Sequence, residues 1–260
     1  MGLEFIGLSY DRWLHEGVGV MGQIMRKLTI LLPARNEVNG LGVVVDMIPG
    51  EELRKLGWDY RLVLVDGYST DGTVNLAKNL GITVYDQRGG LGKGMGLRQA
   101  FKHYLESGDD ALVMLDPDGT YNPGDMPRLL SKMDQGEYDV VIGSRLRGRM
   151  DDGAMSRVNY LGNHILTWSA VALYRRFISD LCTGFWVFRR EAIEAMQLNS
   201  ISFEIEAEMY AACCHNKMYI GEAPIRYHNR IGTAKLGSIH DGIRIFRKLF
   251  VRRFFRRPVN

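Results

Sequence analysis

The densest chemistry in the chain lies at Asp116-Pro117-Asp118-Gly119-Thr120-Tyr121, which sets two carboxylates at i and i+2 directly after an apolar run. Carboxylates that close repel one another and gain most when a cation sits between or beside them. The pair therefore reads as a divalent-cation site, although Asp116-Pro-Asp-Gly also favours a simple turn. Three other clusters share its character. Pro33-Ala34-Arg35-Asn36-Glu37 and Asp66-Gly67-Tyr68-Ser69-Thr70-Asp71 each end an apolar run, and Gly89-Gly90-Leu91-Gly92-Lys93-Gly94 precedes a helix-like segment. Ser69 and Thr70 are equally suited to capping a helix. The glycines at 89–94 miss the spacing of dinucleotide and phosphate-loop motifs, but Lys93 at a helix start could meet a phosphate.

Such clusters need a regular scaffold to converge. Short apolar runs at 28–32, 62–65, 82–85, 111–115 and 139–142 alternate with helix-like segments around 38–48, 71–80, 93–106 and 124–134. Short β-branched runs separated by helices predict an α/β chain, a three-layer sandwich with a mostly parallel central sheet. In sheets of that kind ligands bind beyond the carboxyl ends of the strands, where these clusters fall. After Gly143 the pattern predicts a long helix over 155–177, an antiparallel strand over 183–189 and a helix over 203–214. Short strands follow at 218–220 and 224–227. Phe203-Glu204-Ile205-Glu206-Ala207-Glu208 could supply a carboxylate to a ligand at these strand ends, but a helix face of solvated acids accounts for at least two of the three glutamates.

Composition bounds the rest. At 260 residues, 46% hydrophobic and 24% charged, the chain fits one large globular domain or two small ones and excludes disorder, collagen and coiled coil. Three cysteines, two of them adjacent, make no disulfide framework and fit a reducing compartment. No run reaches the roughly 18 apolar residues of a membrane span, and no secretory signal is visible. The net charge of +3 is uneven. Residues 241–260 carry seven Arg/Lys against one Asp, leaving 26 against 29 for the remainder, a basic tail on a mildly acidic body.

The ordered set P-A-R-N-E, V-D-G-Y-S-T-D-G-T, D-P-D-G-T-Y, G-S-R, T-G-F and R-I-G-T-A-K-L resembles glycosyltransferase family 2, over about residues 28–236. Within it, the chain looks like the dolichyl-phosphate mannose synthase and polyprenyl-phosphate glycosyltransferase branch of archaeal type. Residues 1–26, with several glycines and no clear period, read as an extension, and the resemblance implies a GT-A fold over 27–240. It implies an inverting transfer from a nucleotide-sugar donor, GDP-mannose or a UDP-sugar, to dolichyl or polyprenyl phosphate. It places Pro33, Arg35, Glu37, Asp66, Lys93, Asp116, Pro117 and Lys235 at the donor. Asp118, with Thr120 second, would hold Mg2+ or Mn2+, and Arg230 would join Asp116 and Asp118 in catalysis. Arg145, Arg157 and Thr183 would face the acceptor phosphate. The chain departs from the family pattern at Gly67, where a second acid is usual, at Arg35 in place of tyrosine, and at Thr120 in place of glutamine. A soluble relative acting on a small molecule or a protein is the alternative; a processive synthase lacks support, since no Q-x-x-R-W motif is present.

The tail adds a surface. Ile243, Phe246, Leu249, Phe250 and Phe254 can share one helical stripe, with Arg244, Lys248, Arg252 and Arg256 opposite. A basic, aromatic helix of this kind suits an anionic membrane surface, placing the protein peripherally on the cytoplasmic face. The competing reading packs the helix on the body. Nucleic acid is an improbable partner for a chain whose body is acidic.

Overall fold

The computed structural model describes residues 25–232 and 239–255. Strands β1 (Arg26–Ala34), β2 (Trp58–Asp66), β3 (Thr83–Asp86), β4 (Ala111–Met114), β5 (Val140–Met150), β6 (Trp186–Arg189) and β7 (Ile220–Tyr227) form one sheet. Their order is β3-β2-β1-β4-β6-β5-β7. All run in one direction except β6, which is antiparallel to both β4 and β5. This is the GT-A arrangement, an α/β sandwich on a mostly parallel sheet.

Burial on both faces explains why the strands read as continuous apolar runs instead of alternating ones. Along β1, Ile30 and Leu32 point to one face and Leu31 to the other. On the first face lie α1 (Val38–Asp46), α2 (Gly50–Lys55), α3 (Thr73–Asn79) and α5 (Met126–Gln135), contributing Leu41, Leu53, Ala77 and Leu129. On the second lie α4 (Lys93–Ser107), α6 (Arg157–Tyr174), α7 (Arg190–Ala195), α8 (Ile205–His215) and α9 (Ile239–Phe254). The elements follow the sequence pattern with three differences. β7 is one strand where two short ones are expected, because Gly221 to Ala223 pair without a break against Val141 to Gly143. β5 runs on past Gly143 to Met150, through an irregularity between Ser144 and Arg149. The six-residue helices α2 and α7 are too short for a periodic signal.

Two corrections concern charge. Glu206 and Glu208 are buried, not solvated, because α8 is enclosed on every side. Glu208 accepts from the amides of Asn199 and Ser200 at 2.9 and 2.7 Å. Lys248 and Arg252 of α9 reach the same carboxylate at 3.6 and 3.7 Å. These two cations therefore turn inward, away from the outer charged face expected of them, and Leu249 and Ile245 are buried beside them. Ile243, Phe246, Phe250 and Phe254 are left exposed. α9 is thus a helix docked on α6 and α8, as the body-packed reading has it. Arg256 and Arg257 lie outside the described residues.

Removing Arg252 takes one counter-charge from the buried Glu208 carboxylate, which keeps Lys248 and two amides, a change that costs about 1–3 kcal/mol. Arg252→Ala is expected to lower the urea midpoint of unfolding by a corresponding amount, whereas Arg244→Ala, at an exposed position of the same helix, leaves it within about 0.5 kcal/mol.

Candidate active site

The carboxyl ends of β1, β2 and β4 bring Glu37, Asp66, Asp116 and Asp118 to one edge of the sheet, and the segment after β7 crosses above them. Two backbone bonds fix that crossing: His228 N donates to Thr120 O at 2.8 Å and Ile231 N to Asp118 O at 2.9 Å. Arg230 is thereby suspended over the carboxylates. Its Nη1 lies 2.8 Å from Asp118 Oδ2 and its Nη2 lies 2.5 Å from Glu37 Oε1. The other Asp118 oxygen accepts from the Thr120 amide at 2.9 Å and from the Thr120 hydroxyl at 2.5 Å. Thr120 therefore orients the aspartate from within the loop.

Asp116 is held from another side. Lys93, the first residue of α4, places Nζ 2.7 Å from Asp116 Oδ1 and 2.9 Å from Glu206 Oε1. Burial alone would pull the Lys93 ammonium below its ordinary pKa, but the two carboxylates outweigh it and hold the charged form. Burial pushes the Glu206 carboxyl up against the opposing pull of Lys93. Gly92 makes this position possible. Its φ is +135°, and a Cβ there would overlap the Ile201 carbonyl oxygen. Gly184 serves Asp116 in the same way, since a methyl group at 184 would overlap Asp116 Oδ2. Glu206 is the member of this cluster that the solvated-face reading hides; the signal for it is a helix with no polar side, from Ile205 to Cys213.

Asp66 is buried at the end of β2. One carboxylate oxygen accepts from Ser69 N at 3.0 Å; the other, Oδ1, has no hydrogen-bond partner among the described residues. Arg230 Nε is in the same condition. An unmatched buried acceptor and an unmatched buried donor mark places where a polar ligand would relieve a desolvation cost. Ser69 and Thr70 do not cap α3. The Ser69 hydroxyl accepts from Asn36 N and Thr70 N donates to Asn36 Oδ1, both at 2.8 Å, so they tie the loop after β2 to the loop after β1. Arg35 is exposed on that loop, Pro33 is half-buried, and Pro117 is buried within the Asp116/Asp118 turn.

The residues expected at an acceptor phosphate separate. Arg145 turns into the body. Its Nε and Nη2 meet Asp180 at 2.8 and 2.7 Å, its backbone amide donates to the same carboxylate, and Asn163 of α6 adds a fourth bond at 2.8 Å. The fork that would grip a phosphate is filled by Asp180, which no motif singles out. Burial raises the Asp180 pKa, but the Arg145 charge and these bonds more than reverse it. Thr183 is fully buried and its hydroxyl donates to Gly143 O at 2.6 Å, bracing β5. Arg157 is exposed in the first turn of α6. Lys235 lies outside the described residues.

The donor set bears on a metal. Among the described residues no three His, Cys, Asp or Glu side chains form a ready cage. A cation that takes one or two carboxylates and completes its shell with phosphate oxygens and water needs no cage. Asp118 Oδ2 is the oxygen such a cation would take in exchange for the Arg230 guanidinium, with Asp116 two residues before it in the same turn.

A sheet-edge cluster of this composition, on this fold, defines an enzyme that handles a nucleotide-activated sugar. The model of glycosyl transferase family 2 matches residues 29–196, and the chain belongs to that family. It is 35% identical over 225 residues to Glycosyltransferase AglJ of Haloferax volcanii, covering 86% of this chain and 71% of that protein. It is 32% identical to the low-salt glycan biosynthesis hexosyltransferase Agl6 of the same organism, covering 86% of this chain but only about half, 53%, of Agl6. Among solved structures it resembles glucosyl-3-phosphoglycerate synthase from Mycobacterium tuberculosis in complex with Mn2+, UDP-glucose and phosphoglyceric acid. The TM-score is 0.69 at 20% identity, covering 90% of this chain and 82% of that one. The likeness of that structure bears on the fold.

Two measurements check the geometry. Asp180→Ala leaves Arg145 charged and buried, and is expected to cost about 3–5 kcal/mol in urea unfolding. Because the Asp180 pKa is lowered on folding, its contribution is present above about pH 4, the unfolded value, and is lost as pH falls through the folded one. Arg230→Gln removes the cation that competes for Asp118. Mn2+ titrated onto the chain without nucleotide, followed by electron paramagnetic resonance, is expected to bind about tenfold tighter or more, while turnover falls.

Proposed function

We propose that the chain transfers a hexose from a nucleoside-diphosphate sugar, GDP-mannose or a UDP-sugar, to a polyprenyl or dolichyl phosphate, with inversion at the anomeric carbon. The observation that carries the reading is the Asp118 carboxylate. Thr120 orients it, Arg230 neutralises it, and it lies within the same cluster as Asp66 with its unmatched oxygen. In this reading Pro33, Arg35 and Glu37 line the nucleoside side and Asp66 Oδ1 accepts from base or ribose. Arg230 and Lys235 meet the diphosphate. Asp116, with Pro117 beside it, is kept in place by Lys93.

The chemistry follows from where charge develops. The bond from C1 of the sugar to the diphosphate breaks, and its electron pair leaves with the diphosphate. An oxygen of the acceptor phosphate bonds to C1 from the opposite face. Arg230 stands where the departing charge grows, and a fixed donor in a desolvated site stabilises such charge most effectively. Mg2+ or Mn2+ held by Asp118 supplies Lewis-acid stabilisation when bound. The acceptor phosphate is ionised near neutral pH, so no side chain has to take a proton from it. Of the two arginines expected at the acceptor phosphate, Arg157 is the exposed one, and arginine's fork matches phosphate oxygens.

The names of the relatives, a glycosyltransferase and a glycan-biosynthesis hexosyltransferase, support the donor class. The exposed aromatic face of α9, flanked by exposed Arg244 and Arg247, supports a lipid-borne acceptor reached from the cytoplasmic membrane surface. No helix among the described residues is long and apolar enough to cross a membrane.

A panel of GDP- and UDP-sugars with polyprenyl phosphate in detergent, read by the mass of the lipid product, tests the reading. One donor is expected to give a lipid heavier by one hexosyl unit. Asp118→Ala is expected to lower that turnover by about a thousandfold or more. Transfer to phosphoglycerate or another small phosphate, with none to the lipid, would sink the lipid acceptor and keep the family chemistry.

A further inference from the structure

α6 is apolar on two faces, with Leu166, Ala170, Val171 and Tyr174 packed against the core. Its buried positions include Asn163, Thr167 and Ala170, and two of them are polar. Asn163 serves Asp180, and the Thr167 hydroxyl accepts from Leu181 N at 3.0 Å. Its outward positions are Val158, Leu161, Ile165 and Trp168, at spacings of three and four along one face, and Trp168 is 64% exposed. A helix in water places its apolar stripe toward the core. α6 turns a second apolar face away from it, and contiguous exposed apolar surface of that kind marks a contact site.

The face does not end with α6. Tyr174 Oη donates to Leu249 O of α9 at 2.8 Å, and Arg253 Nε donates to Leu173 O at 2.7 Å, so the two helices lie against one another. Each leaves a row of large apolar groups exposed.

We infer that α6, not only α9, is a lipid-contacting element: its Val158–Trp168 face lies in the headgroup region of an anionic membrane. Charge chooses this occupant. α6 holds no Asp or Glu from Arg157 to Tyr174. Exposed Arg157 and Arg175 bound it, and exposed Arg244 and Arg247 stand on α9, which carries a single acid, Asp241. A second copy of the chain on this face would set arginines against arginines, whereas an anionic surface answers them. Trp and Tyr collect at membrane interfaces, and Tyr160 and Trp168 flank His164 in an outward aromatic row. The position also suits the reading of a lipid-borne acceptor, on which its purpose rests. β5 is parallel to β7 and antiparallel to β6, so its end at Met150 is on the edge that holds Asp116 and Asp118, and α6 starts from that edge.

Trp168 makes the test direct, because Trp58 and Trp186 are buried; Trp13, outside the described residues, is replaced by Phe throughout. The full chain is mixed with phosphatidylcholine–phosphatidylglycerol vesicles that contain no polyprenyl phosphate, some with brominated acyl chains. Binding is expected to quench tryptophan emission, and Trp168→Phe is expected to abolish most of the quenching while the protein still sediments with the vesicles. Leu161→Glu and Ile165→Glu are each expected to weaken vesicle partitioning about tenfold, with near-ultraviolet circular dichroism and transfer to detergent-solubilised acceptor unchanged. Quenching that survives Trp168→Phe would overturn the inference, as would undiminished partitioning of both Glu variants. So would a dimer, seen by sedimentation equilibrium, that those variants dissociate. Loss of partitioning in Phe250→Glu alone would confine the contact to α9. Because the vesicles lack acceptor, each of these outcomes is separate from whether polyprenyl phosphate is the substrate.

Discussion

Carboxylates gathered at one edge of a buried sheet must be answered by positive charge, and much of this structure is arranged around that demand. Asp118 and Glu37 share Arg230; Asp116 and Glu206 share Lys93; Asp180 takes Arg145; Glu208 draws Lys248 and Arg252 out of the terminal helix. The pairs differ in what surrounds them. Asp180 and Glu208 are enclosed, and their partners lock elements together. Asp118 faces a guanidinium that arrives on a loop at the edge where the strands end. The first kind of pair holds the fold, and the second holds a charge ready for a ligand.

That difference also governs what the residues reveal on their own. The sheet is legible because both of its faces are covered, so β1 to β5 each appear as an apolar run ended by Pro, Asp or Gly. The Asp116/Asp118 pair is legible because two acids at i and i+2 after a buried strand repel each other and call for a cation. The partners are not legible. Nothing local says that Arg145 meets Asp180, thirty-five positions away, or that Lys93 meets Glu206. Such pairings depend on which helices the sheet brings together. The glutamates of α8 mislead for a related reason: acids at alternate positions look solvated until the helix is found to be enclosed.

The terminal helix shows both outcomes at once. Its aromatic positions Phe246, Phe250 and Phe254 lie outward as the stripe implies, while Leu249 and two of its cations turn inward. A helical wheel assigns faces relative to one another, but it cannot say which face meets the protein. Here Ile245 and Leu249 turn inward together with Lys248 and Arg252, which reach Glu208.

The antiparallel β6 sets a schedule for the growing chain. β1, β2, β3 and β4 can pair as soon as Met114 has left the ribosome. β5 is complete at Met150, yet its nearest neighbours in the sheet are β6, which starts at Trp186, and β7, which starts at Ile220. Until Trp186 emerges, β5 has no partner in the sheet. A nascent chain paused in that interval exposes an unpaired strand, a feature prone to association. The window in which this strand most needs a chaperone is therefore bounded by Met150 and Trp186.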